Sequence, residues 1–111
     1  MQVKGGPGGG VNELVRQAAR MQRKIDQARG QIKDTEVTGT AAGDKVKATV
    51  TCEGKVKQLF IDPAFLQEEG LEMALDALAA ATNAAMASAD KVVEEHLAKF
   101  TGGVKIPGMH P

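Results

Sequence analysis

The sequence predicts an α+β domain in which a long N-terminal helix is followed by a three-stranded antiparallel sheet and then by a long C-terminal helix. Two changes of period support this order. Apolar residues recur every three or four positions before residue 34 and after residue 70, which is typical of helices. Between these segments, β-branched residues and alternating apolar and polar side chains indicate strands. A chain of 111 residues has room for one domain with one modest core.

Residues 1–10 are predicted to form a flexible glycine-rich arm, because five glycines around Pro7 provide too little side chain to pack. This run follows no strand and lacks the Gly-Lys-Ser/Thr ending of a phosphate-binding loop, which argues against that motif. The domain is expected to cover residues 11–100. Its first helix should begin near Val11 or Asn12, with the Asn12 side chain as the cap.

The first helix carries an apolar stripe with heptad spacing on one face and basic residues on most of the remainder. The stripe consists of Val11, Leu14, Ala18, Met21, Ile25, Ala28 and Ile32. The basic residues are Arg16, Arg20, Arg23, Lys24, Arg29 and Lys33, with Lys4 on the preceding arm. Basic side chains about one helical turn apart suit the phosphates of DNA, although a merely solvated helix face shows the same pattern.

The sheet is expected to be a meander with helix on one face. Its predicted strands cover residues 36–41, 45–53 and 55–61. On the second strand the apolar residues share one face, and they are Val46, Ala48, Val50 and Cys52. The lone Cys52 is therefore interpreted as a small buried side chain. The third strand is ambiguous because it carries apolar residues on both faces.

The second half of the chain begins with Asp62 and Pro63, a typical capping residue and first residue of a helix. After Gly70, a helical pattern continues to Phe100, and residues 101–111 are expected to be a flexible tail. A helix of about 30 residues is about 45 Å long, so it must project from a small domain or be covered by another chain. Its alanine-rich middle predicts a homodimer whose interface includes Leu75, Leu78, Ala81, Ala85 and Met86.

The composition excludes several classes of function. No nucleophile with a base, no acid–base pair and no metal-ligand cluster is evident, so we expect neither an enzyme nor a cofactor or small-molecule substrate. One cysteine and the lack of a secretory signal favour the cytoplasm, and no apolar run is long enough for a membrane span. The net charge is zero, but residues 1–61 contain 11 Lys/Arg and 6 Asp/Glu, whereas residues 62–111 contain 3 and 8. An anionic partner thus suits the first half only.

The amino-acid sequences of several segments closely resemble those of one protein family. These segments are Glu36-Val37-Thr38-Gly39, Val46-Lys47-Ala48-Thr49-Val50, Ile61-Asp62-Pro63 and Asn83-Ala84-Ala85. Together with the opening KGGPGGGVNELVRQAARMQRKIDQARGQI and the closing VKIPGM, they are similar to the YbaB/EbfC family of bacterial nucleoid-associated proteins. The resemblance implies a homodimer with tweezer-like helical arms, double-stranded DNA as partner and a place in the nucleoid. It also implies a role in nucleoid organisation or DNA protection.

Two alternatives remain open from the residues. The heptad stripe and the acidic second half would also suit a coiled-coil adaptor that binds replication or recombination proteins. If the protein binds DNA, the strand lysines Lys45, Lys47, Lys55 and Lys57 offer a second basic surface. In either DNA-binding case we expect phosphate contacts and little sequence specificity, because the chain has no Trp or Tyr and only three Phe for base stacking.

Overall fold

The computed structural model describes residues 8–100, so Lys4 and the predicted tail at residues 101–111 lie outside the described part. The chain forms the expected order of elements, and the helix predicted to start at Asp62 and Pro63 is a short one that ends before Gly70. The elements are α1 (Gly8–Ile32), β1 (Glu36–Ala41), β2 (Val46–Thr51), β3 (Val56–Ile61), α2 (Pro63–Glu69) and α3 (Leu71–Phe100).

Helix α1 begins at Gly8, three residues before the predicted start. Gly8–Gly10 belong to its first turn, so this part of the predicted arm is helical and Asn12 lies inside the helix instead of capping it. The prediction placed the start at the first apolar residue, but apolar spacing marks where a helix packs and not where it begins.

The three strands form a meander in the order β1-β2-β3, and both pairs are antiparallel. The turn between β1 and β2 places Ala42, Gly43 and Asp44 at positive φ. Strand β2 ends at Thr51 instead of Glu53. The next two residues bond to the segment after α1 instead, because Cys52 N donates to Thr35 O and Glu53 N to Lys33 O at 2.9 and 3.2 Å.

The main core lies between the sheet and the middle of α3. Val46, Ala48 and Val50 on β2 are fully buried against Ala81 and Ala85. Gly39 on β1 permits this close approach, since a Cβ atom there would overlap the Ala81 carbonyl oxygen and lie 2.9 Å from the Ala85 Cα. Helix α3 packs on β1 and β2 but scarcely on β3. Within residues 8–100, the part of the inner face of β3 that Val56 and Leu59 form is consequently left about half exposed.

The short helix α2 has the predicted cap. The Asp62 carboxylate accepts a hydrogen bond from Ala64 N at 2.8 Å, and Pro63 is the first helical residue. Gly70, at φ 90°, then lets the chain turn into α3. Asp62 thus has a structural role at this helix start, as its position before a proline predicted.

The end of α3 leaves the sheet and packs on the end of α1, which produces an elongated molecule. Ile25 and Ala28 of α1 form a second cluster with Val93 and Leu97 of α3. The molecule measures 74 × 21 × 20 Å with a radius of gyration of 21.2 Å, against about 13 Å for a compact domain of about this length. The long helices therefore project from the sheet, which for α3 is one of the two outcomes that its predicted length allowed.

Candidate nucleic-acid interface

Helix α1 presents four basic side chains on one exposed face. Arg16, Arg20 and Arg23 fall within about 60° of one another around the helix, and Lys24 lies about 40° beyond Arg20. All four side chains are exposed. Arg16 and Arg23 point away from Ile25, which packs on α3. Arg20 and Lys24 are turned closer to the packed side, about 80° and 40° from Ala28 around the helix. We call these four residues the basic face; phosphates can approach it without disturbing the packed side of the helix.

One carboxylate lies within the basic face. Glu13 accepts from Arg16 at 3.2 Å and from Arg20 at 3.3 Å. All three side chains are roughly half exposed or more, so these ion pairs contribute little to stability. A phosphate oxygen accepts hydrogen bonds as the Glu13 carboxylate does. Arg16 and Arg20 can therefore replace Glu13 by a phosphate as their acceptor at a low cost in free energy.

The other two described residues of the predicted site, at and just after the end of α1, lie elsewhere. Arg29 and Lys33 line a cleft of about 310 Å³ together with Cys52, Glu53 and Val93. Around the helix, Arg29 is turned about 140° from Arg16 and about 180° from Arg20. The structure therefore divides the predicted set into the basic face and a separate pair. The position of Arg29 could be predicted from the sequence spacing. Arg29 is eleven residues after Ala18 and therefore lies on the same side of the helix as the apolar stripe.

The strand lysines form a second exposed basic surface. Lys47 is paired with Phe60 across β2 and β3, on the sheet face opposite to α3. Lys55 lies 3.6 Å from Glu53, and Lys45 and Lys57 are also exposed. The exposed Phe60 is an aromatic neighbour that the basic face of α1 lacks. This surface remains a distinct candidate for DNA contact.

The residues predicted at a dimer interface also fall into two groups, one in the core of the chain and one on its surface. Ala81 and Ala85 are fully buried against the sheet of their own chain, so they have no surface left for a partner. Met86 is partly buried at the edge of the same core. Leu75 and Leu78 instead line an open apolar groove of about 440 Å³ with Val56, Leu59, Ala79, Thr82 and Asn83.

Val56 and Leu59 are the groove residues that sequence reasoning missed. They lie on the same face of the sheet as Val50 and Ala48, their cross-strand partners, yet each is about half exposed. A register irregularity at Thr49/Val50 brings Val56 onto this face. The signal was the apolar character of β3 on both faces, but the irregularity prevented a clean assignment by alternation.

The two other side chains with reactive chemistry, Cys52 and His96, are packed against neighbouring residues. Cys52 packs beside both clusters, and partial burial raises the pKa of its thiol, which disfavours the reactive thiolate. The His96 imidazole lies 3.1 Å from Gln31 Oε1 and contacts the Phe100 ring. Within residues 8–100, no group of three His, Cys, Asp or Glu is arranged to hold a metal ion. No helix in this same range has the length and apolar character needed to cross a membrane.

The sequence matches known proteins over nearly its full length. A model of the YbaB/EbfC DNA-binding family matches residues 8–104. A nucleoid-associated protein from Nocardia farcinica is 40% identical over 105 residues, which cover 93% of this chain and 96% of that protein. A nucleoid-associated protein from Acetivibrio thermocellus is 35% identical over 105 residues, which cover 94% and 93%.

The fold also matches a solved structure. The crystal structure of uncharacterized protein HP0035 from Helicobacter pylori aligns with a TM-score of 0.65 and 23% identity. The alignment covers 83% of this chain and 96% of the other. The similarity concerns the fold, and it confirms the predicted arrangement of a helix, a three-stranded sheet and a long second helix.

Proposed function

Because this chain belongs to the YbaB/EbfC DNA-binding family, we propose that it is a nucleoid-associated protein that binds double-stranded DNA through the basic face of α1. The observation that carries this proposal is the grouping of Arg16, Arg20, Arg23 and Lys24 on one exposed side of a projecting helix. From Arg16 to Lys24 the helix advances about 12 Å. Successive phosphates of one DNA strand are about 3.4 Å apart along the axis, so this length spans several of them.

The proposed contacts are chiefly to phosphates, which makes binding largely independent of sequence. Helix α1 contains no aromatic residue that would insert between bases. Guanidinium groups on an exposed helix meet phosphate oxygens before base edges, and they release counterions when they do so. Such binding would serve nucleoid organisation or DNA protection, and the relatives are named nucleoid-associated proteins.

Binding curves at several salt concentrations test the DNA proposal. If a dimer contacts about five phosphates, log K should fall with log salt at a slope of roughly −4 to −5. Duplexes of equal length and unrelated sequence should give the same curves. A slope close to zero, or affinities that depend strongly on the duplex sequence, would contradict phosphate-dominated binding.

The half-exposed inner face of β3 supports a homodimer as the binding unit. Val56 and Leu59 continue the apolar face of the core, but α3 packs mainly on β1 and β2 and makes few contacts with β3. Leu75 and Leu78 of α3 form the other wall of this groove. A second copy of the chain brings an identical apolar groove, and two-fold symmetry lets each copy cover the other. Burial of half-exposed large apolar side chains then drives association.

The dimer proposal predicts opposite outcomes for two neighbouring residues. Leu59→Asp should weaken dimerisation by roughly 100-fold or more, because a charge would be buried in the interface without a partner. Phe60→Asp is the matched control, since Phe60 is similarly exposed but lies on the opposite sheet face. Sedimentation equilibrium measures both. A monomeric parent protein, or dissociation by both substitutions alike, would contradict an interface at this groove.

A further inference from the structure

The first half of α1 exposes an apolar stripe that the rest of the described chain leaves uncovered. Val11 and Leu14 are each 66% exposed, and Met21 is 40% exposed. Further along the same helix, Ile25 is only 9% exposed and Ala28 is fully buried, because α3 covers them. Within residues 8–100, the heptad seam that α3 covers near the end of α1 thus continues without a cover toward its start. We call the exposed residues at heptad positions a and d the arm stripe, and they are Val11, Leu14, Ala18 and Met21.

The positions beside the arm stripe carry no charge, which indicates the kind of helix that fits it. The flanking heptad positions e and g hold Gly10, Val15, Gln17 and Gln22. The first charged residue at such a position is Lys24, beside the part of the seam that α3 covers. Charges at e and g positions select the partner of a coiled-coil helix. With neutral flanks, two copies of this helix bring no like charges together, and an oppositely charged partner gains no ion pairs.

The sizes of the stripe residues favour an antiparallel pair of two such arms. An antiparallel overlap centred on Arg16 pairs a positions with d positions and places Leu14 opposite Ala18 of the other copy, and Val11 opposite Met21. In the two central layers a large side chain thus meets a small one. A parallel pair would instead place Leu14 on Leu14 and leave a gap between the two Ala18 side chains. The antiparallel overlap is about 15 Å long, and it stops before the part of the seam that α3 covers.

We propose that the arm stripe packs on the arm stripe of a second copy of the chain in this antiparallel register. Burial of Val11, Leu14 and Met21 drives the contact, since all three are large apolar side chains with exposed surface to lose. A coiled coil this short is weak on its own. The contact therefore joins copies that are already held close together. The arm and the β3 groove are separate surfaces, so a dimer formed at the groove can bind further dimers through its arms.

The arginines of the basic face stay accessible when two arms pair. Arg16, Arg20 and Arg23 are each turned at least about 100° around the helix from every residue of the arm stripe. They point away from the second copy, so pairing is compatible with phosphate contacts. Dimers that lie next to one another on one duplex would then join through their arms, which makes binding cooperative. Only this consequence rests on the proposed DNA binding, because the pairing itself needs no DNA.

Disulfide trapping between copies of the full chain tests the pairing. In a Cys52→Ser background, Leu14→Cys protein is mixed with Ala18→Cys protein, left to exchange copies and mildly oxidised. A mixture of Arg16→Cys and Arg20→Cys is the matched control, because these positions have the same spacing on the basic face. The disulfide between unlike variants should form at least about tenfold faster in the first mixture, since pairing raises the effective concentration. Equal rates in the two mixtures would overturn the proposal, as would a faster disulfide between two Leu14→Cys copies, which indicates a parallel pair.

The same experiment with Leu59→Asp added separates the arm contact from the β3 groove. The mixture of Leu14→Cys and Ala18→Cys should still form its disulfide faster than the control mixture, because Leu59 lies in the groove and not on the arm. If the difference disappears, association at the groove alone brings the arms together, and an arm contact of its own is overturned.

DNA binding by variants without added cysteines tests the consequence for cooperativity. Leu14→Gln removes a large apolar side chain from the arm stripe without adding charge. Ala19→Gln is the matched control, since Ala19 is exposed and occupies an outer heptad position. On a duplex long enough for many dimers, Leu14→Gln should raise the half-saturating concentration at least about fivefold, whereas Ala19→Gln should bind as the parent does. On a duplex too short for two dimers, all three proteins should bind alike.

The outcomes separate this inference from the proposed function. Equal binding of the long duplex by the parent and by Leu14→Gln would overturn the joining of dimers through their arms. A parent protein that binds neither duplex would contradict the proposed function, and the disulfide rates would then still decide whether the arms pair.

Discussion

Gly39→Ala is expected to destabilise the protein by about 3 kcal/mol or more, which is at the upper end for overpacking a core. The added methyl group would overlap the Ala81 carbonyl oxygen and the backbone at Ala85. Both are main-chain atoms of α3, so no side-chain rotation can relieve the overlap. Helix α3 would have to move away from β1 and open the contacts between Ala81, Ala85 and β2. Denaturant unfolding at a fixed protein concentration measures the loss.

Gly30→Ala is the matched control for this experiment. Gly30 is inside helix α1, and a Cβ atom there meets nothing within 4 Å. Alanine in a helix interior is favoured over glycine by about 0.5–1 kcal/mol, so this variant should be slightly more stable than the parent. If Gly39→Ala unfolds at the same denaturant concentration as the parent, α3 does not lie on β1 as closely as the structure has it.

Replacing Arg16, Arg20 and Arg23 together with alanine is expected to weaken DNA binding by roughly 500-fold at 0.1 M salt, if three phosphate contacts are lost. For the same reason, the salt slope should flatten to about −2. All duplexes should be affected alike, since phosphate contacts carry no sequence information. The three side chains are exposed, so the fold and the second cluster should remain intact.

Two comparisons make this result specific to the basic face. Glu13→Gln removes the carboxylate that pairs with Arg16 and Arg20, and it should strengthen binding several-fold at low salt. Gln17→Ala changes the same helix without changing its charge and should bind as the parent does. Unchanged affinity and salt slope in the triple variant would place the DNA contacts elsewhere, with the strand lysines around Lys47 as the next candidates. A parent protein that binds no DNA would favour the adaptor function.

Local sequence patterns were sufficient to predict the helices and strands and to predict which face of several of them is buried. The switch from helical spacing to β-branched and alternating residues located the three strands, and the alternation along Val46, Ala48 and Val50 identified the buried side of β2. The pair Asp62 and Pro63 identified the start of α2 because capping is a contact within a few residues. These features depend on neighbours in the chain, so the sequence contains the information without knowledge of the fold.

The tertiary structure alone decided which neighbour covers each apolar face. The heptad stripe of α1 is uniform in sequence, yet α3 reaches Ile25 and Ala28 but not Leu14. The small residues of α3 indicated close packing, but only the position of Gly39 on β1 directs Ala81 and Ala85 to their own sheet. The groove at Leu59 exists because α3 packs mainly on β1 and β2 and makes few contacts with β3. Periodicity determines which side chains share a face, whereas their burial depends on contacts between segments far apart in the chain.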